Sequence, residues 1–91
     1  MTAWKYKINI RQYLNDEETP EAVLKAAEGI KAEIEKNHLE RIFLNTPYKM
    51  VERTRKAVDA GFDYDEVCAI FNGWLGRIYD IADDERVWVS G

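Results

Sequence analysis

The stretch from Asp63 to Ala82, DYDEVCAIFNGWLGRIYDIA, constrains the fold more than any other part of the chain. Its apolar residues Val67, Ile70, Phe71, Trp74, Leu75, Ile78 and Ala82 recur at spacings of three and four. On an α-helix that spacing puts them on one broad stripe, which is stable only when covered. Asp63 followed three residues later by Glu66 is a capping-box pattern and marks the start. Asp80, Asp83, Asp84 and Glu85 oppose the negative end of a helix dipole, predicting a stop by about residue 83.

At the other end of the chain, Trp4, Tyr6, Ile8 and Ile10 alternate with Lys5, Lys7, Asn9 and Arg11. Period two with β-branched and aromatic residues predicts a half-buried strand over Ala3 to Leu14. After a polar connection, Thr19-Pro20 supplies an N-cap and a proline for the first helical position. Val23, Ala27, Ile30 and Ile34 form that helix's apolar stripe, Glu21 and Lys25 are placed to pair, and Asn37 is expected to take the left-handed conformation that ends it. Leu39, Ile42, Phe43 and Leu44 make a short apolar patch, read as a further helical turn over the core.

Thr46-Pro47 repeats the start signal, and Met50, Val51, Thr54, Ala57 and Val58 give a second amphipathic helix. Gly61 ends it, with Phe62 placed for the apolar contact that accompanies a glycine C-cap. Val87, Trp88 and Val89 read as a second strand. Together these signals predict one domain, residues 1–91, of the α+β class in the order β-α-α-α-β. A small two-stranded sheet packs against three helices, with the third, about 63–83, central. Antiparallel succession of the elements makes the strand pair parallel. Two strands leave both edges open, so a helix or a second subunit is expected to cover or extend the sheet.

Composition narrows the class of function. An apolar fraction of 46% with 33% charged residues describes a globular, soluble chain. No apolar run approaches the roughly 20 residues needed to cross a bilayer. The single cysteine, Cys68, and the absence of a charged-then-apolar leader point to the cytoplasm. The net charge of −4 opposes nonspecific nucleic-acid binding, although Lys5, Lys7 and Arg11 are separated from the acids that follow them.

Three constellations bear on binding. The outer face of the first strand, Lys5, Lys7, Arg11 and Tyr13, combines cations with an aromatic ring, and alternation turns Trp88 toward it. Lys49, Arg53 and Lys56, with Arg55 nearby, line the second helix and offer contacts to an anion or nucleic acid; Glu52 and Asp59 among them favour a salt-bridged solvent face. Residues 50–82 resemble a helix-turn-helix if the chain breaks at Asn72-Gly73, but one basic residue, Arg77, is too few for a recognition helix. Ala69, Gly73 and Gly76 form a small-residue strip expected at a close contact inside the fold.

Catalytic chemistry has little support. His38 and Cys68 are each alone of their kind, and there is no phosphate-cradling glycine loop, zinc pattern, metal set or cofactor signature. The acidic turn from Asp80 to Glu85 lacks calcium-loop spacing. The balance is against an enzyme. The expectation is a small interaction or regulatory protein acting through a protein partner or its own copy, as a homodimer or larger homo-oligomer. The alternative is a nucleic-acid-binding regulator using the 50–82 region or the basic first strand.

Overall fold

The computed structural model describes residues 2–4, 17–84 and 88–90, with side chains from Glu17 to Asp83. Helix α1 spans Pro20–Lys36, a short helix α2 spans Glu40–Phe43, α3 spans Thr46–Asp59 and α4 spans Tyr64–Asp84. Local chemistry explains most of these limits. The Thr19 hydroxyl accepts from the Ala22 N–H at 3.2 Å, and Pro20 lies in the first turn, where its missing N–H leaves no gap. Asp63 and Glu66 close a reciprocal capping box. The Glu66 N–H donates to the Asp63 carboxylate at 2.9 Å and the Asp63 N–H to the Glu66 carboxylate at 3.1 Å.

The helix ends use glycine-type geometry in two places. Gly61, at φ 82°, follows α3. Its N–H donates to the Val58 carbonyl and that of Phe62 to the Ala57 carbonyl, which together make a Schellman turn. The same pair of bonds ends α1, from His38 to Glu35 and from Leu39 to Ile34. Here the left-handed residue is His38, at φ 57°, and not Asn37, which remains at φ −95°. Asn37 instead donates its side-chain amide to the Glu33 carbonyl at 2.8 Å.

The core forms where three helical stripes meet. Helices α1, α3 and α4 pack on one another, and α2 packs against α4. Ile30, Ile34, Leu39, Phe43, Met50, Val67 and Ile78 are its most enclosed large side chains. Burying each contributes about 1.5–3 kcal/mol. The stripe expected on α4 faces inward as a gradient: Val67, Phe71, Leu75, Ile78 and Ala82 are buried, while Ile70 and Trp74 pack against them half-buried.

The α+β expectation is overturned. The architecture is a four-helix bundle, because among the described residues the stripes of α1, α3 and α4 pack on one another to form the core. The strand pairing described is a three-residue ladder between Thr2–Trp4 and Trp88–Ser90, which forms no layer of the core. Its register, Thr2 to Ser90 and Trp4 to Trp88, is antiparallel, against the parallel expectation. The remainder of the expected first strand lies outside the described residues.

Smaller expectations also change. The α3 cap is Asn45, not Thr46, and its side chain makes no capping bond. Leu44, expected to help cover the core, is 74% exposed. Among the described residues the ion pair on α1 is Lys31 with Glu35 at 3.2 Å, and Glu21 with Lys25 forms none. Gly73 and Gly76 do not make a close contact inside the fold. Both are exposed, as is Ala69, and a Cβ added at either glycine meets nothing within 4 Å.

Candidate interaction surface

Helix α3 carries different chemistry on its two exposed flanks. Lys49, Arg53 and Lys56 stand four and three residues apart, a ridge about 10 Å long at the helical rise. All three are exposed, and among the described residues none forms an ion pair. The expected salt-bridged face is therefore not built there: neither Glu52 nor Asp59 pairs with the ridge. Arg55 points to the other flank, where its guanidinium donates to Glu28 of α1 at 3.0 Å. The four cations grouped by sequence thus divide into three that are unpaired among the described residues and one committed to joining α1 and α3.

That second flank forms one wall of a shallow cleft of about 380 Å³ between α1 and α3, lined by Glu28, Lys31, Tyr48, Val51, Glu52 and Arg55. Val51 provides an apolar floor and Tyr48, 57% exposed, stands at its edge. Four charged residues of both signs share the rim, so the cleft has no net preference for an anion or a cation.

Leu44 lies just before this end of α3. Its dihedrals are φ 54° and ψ −128°, and those of Asn45 are φ −93° and ψ 6°. These match a type II′ turn, about +60°, −120° and then −80°, 0°, a turn whose first central position normally takes glycine. A large apolar side chain is thus held out in solvent by a backbone that disfavours it. The first turn of α3 contains no acid, so the positive end of its dipole and Lys49 act in the same direction.

The other chemical groups are dispersed. Among the described hydrogen bonds and ion pairs, His38 and Cys68 are not joined, and His38 serves the turn after α1. Cys68 is a half-buried free thiol. One turn earlier on α4, the Tyr64 phenol has its pKa raised above the usual range, first by the neighbouring Cys68 side chain through hydrogen bonding and charge, with burial, Glu18 and Asp65 adding to this. Among the described residues no group of three or more His, Cys, Asp or Glu could hold a metal ion, and no helix is long and apolar enough to cross a membrane.

The helix-turn-helix alternative fails at its decisive point, and the unbroken stripe across Asn72-Gly73 is one continuous helix. Helix α4 runs from Tyr64 to Asp84 without a turn at Asn72-Gly73. Its outer face presents Asp65, Ala69, Gly73, Gly76, Asp80 and Asp83, with acids where phosphate contacts would be needed. Arg77, the one cation there, lies over the Trp74 ring at 4.6 Å from its centroid.

Of the contact residues expected near the strands, Lys5, Lys7, Arg11 and Tyr13 lie outside the described residues. Trp88 belongs to the short ladder through its backbone, opposite Trp4. Sequence reasoning missed Leu44 and Tyr48. No glycine or proline announces the turn at Leu44-Asn45, and an apolar run was read as core when one member of it faces water. No family model matches the chain, and no curated protein or solved structure matches it either.

Proposed function

We propose that this helical domain is a non-enzymatic binding module. A protein partner docks on the corner made by Leu44 and Tyr48 and continues along the ridge of Lys49, Arg53 and Lys56. Leu44 carries the reading. It is 74% exposed and sits in a backbone conformation that glycine adopts freely, so neither burial nor turn geometry accounts for a leucine there. Strain of this kind, of order 1–3 kcal/mol, clusters at sites whose side chain is needed for something other than folding.

A second copy of the chain is one partner of this kind, with Lys5, Lys7, Arg11, Tyr13 and Trp88 as the proposed contacts of a homodimer. Its lone thiol suits the reducing cytoplasm. Photo-cross-linking from position 48 in an extract of the native host tests the main reading. The expected result is a discrete protein adduct that disappears with Leu44→Gly while the helical circular dichroism is unchanged. An adduct pattern unaffected by Leu44→Gly would overturn it. Sedimentation at micromolar concentration tests the homodimer separately, and a monomer there removes that form of the proposal.

A further inference from the structure

We infer that the segment docking on α3 is an acidic amphipathic helix from the partner protein, an inference that rests on the docking surface proposed above. Charge complementarity is the first reason. Lys49, Arg53 and Lys56 are exposed and without ion-pair partners among the described residues, while Arg55, on the other flank of α3, is paired with Glu28. The positive end of the α3 dipole adds to Lys49, at the end of the helix where Leu44 and Tyr48 are exposed. The occupant therefore combines carboxylates with apolar side chains at one end.

Spacing selects a helix. Along the α3 axis the cations are separated by about 6 Å and then about 4.5 Å, at 1.5 Å per residue. A second helix carrying carboxylates four and three residues apart reproduces both intervals. In an extended strand, side chains on one face recur every ~6.7 Å, which fits the first interval and misses the second. Apolar residues one turn before the first carboxylate then lie toward the Leu44 end of α3, as in other helix-in-surface docking.

A nucleic acid is the less suitable polyanion. Its phosphates repeat at every step and would approach Glu52 and Asp59 on the same helix, and the acids of α4 raise the cost further. Discrete carboxylates avoid those positions. Glu52 and Asp59 therefore help to exclude a uniform polyanion while leaving the ridge open to a patterned one.

The experiment is fluorescence anisotropy with the whole protein and a labelled helical peptide. The peptide carries glutamates at the four-then-three spacing, with leucine and tyrosine one turn before the first. Three comparison probes are its glutamine counterpart, a version interrupted by proline, and a single-stranded oligonucleotide of equal charge. The expected result is binding of the glutamate peptide that weakens as salt is raised and falls about tenfold or more with Arg53→Glu, an exposed position. Leu44→Gly should weaken it as well. Equal binding of the glutamine or proline peptide, tighter binding of the oligonucleotide, or indifference to Arg53→Glu would overturn the inference. The two readings fail separately. A cross-linked partner lost with Leu44→Gly but kept with Arg53→Glu retains the docking corner and rejects the acidic helix.

Discussion

Leu39 donates its backbone N–H to the carbonyl oxygen of Ile34 at 3.0 Å, across a turn whose left-handed residue is His38. Both apolar side chains are buried, at 2% and 1% exposure, so the turn pins the end of α1 and the start of α2 to the core. A side chain with a Cβ disfavours that conformation by about 1 kcal/mol, partly offset by the larger chain entropy of glycine. His38→Gly is therefore expected to raise unfolding stability by up to about 0.5 kcal/mol. His38→Val, whose branched side chain resists positive φ, is expected to lower it by about 1 kcal/mol. Urea titration followed by circular dichroism separates the two directions.

The Thr54 hydroxyl is fully enclosed in the core face of α3, and its oxygen has no hydrogen-bond partner among the described residues. Enclosing a hydroxyl without a partner costs about 1–3 kcal/mol. Thr54→Val keeps the shape and removes the polar atom, so the midpoint of urea unfolding should rise by an amount equivalent to about 1 kcal/mol. Thr54→Ser keeps the hydroxyl and leaves a methyl-sized void, so it should lower stability by about 1 kcal/mol. A lower midpoint for the valine variant would show that the hydroxyl is satisfied in solution.

Gly73 and Gly76 lie on the water-facing side of α4 with open space around the position of a Cβ. Alanine is favoured over glycine inside a helix by about 0.8–1 kcal/mol at each site. Each single alanine variant should therefore raise the thermal midpoint, and the double variant should raise it further. A loss of stability at either site would mean that another surface approaches the backbone there, which a simultaneous measurement of molecular mass would identify as self-association.

Phe43 is fully buried although its helix, α2, is a single turn. A helix this short has no stability of its own, so the phenyl group anchors it. Phe43→Ala should cost about 3–5 kcal/mol. The neighbouring Leu44→Gly, one residue away and facing solvent, should instead gain about 1 kcal/mol through relief of backbone strain. Opposite signs at adjacent apolar positions would be read directly from two unfolding curves.

The helix starts and stops were legible because capping is local chemistry. Thr19, Gly61 and the Asp63–Glu66 pair each satisfy backbone groups within a few residues, and the apolar stripes of all three long helices face the core. The layer arrangement was not legible. Alternation near the strands records which side chains share a face, but whether a sheet has anything to pack against depends on how completely the helices cover one another. Positive φ was placed one residue early, at Asn37, since asparagine tolerates it best, while the bond from Leu39 to Ile34 requires it at His38. The glycines of α4 were assigned to a tight contact because nothing in a sequence distinguishes a glycine that is pressed from one that is bare. Of the candidate site, the cation ridge was readable by spacing; that it is unpaired among the described residues, and that Leu44 and Tyr48 are exposed at the same end of α3, depends on side-chain placement.

The bare outer face of α4 also sets a pattern of motion. With hydrogen in place of a side chain at Gly73 and Gly76, water reaches the carbonyls and amides of the middle turns directly, while Val67, Phe71, Leu75 and Ile78 grip the opposite side. Amide protons in those turns should exchange with solvent sooner than those near Val67, where the capping box holds the first turn. The longest helix of the bundle is thus clamped along its length from one side and bare at its waist, and it should open from the centre as well as from its end.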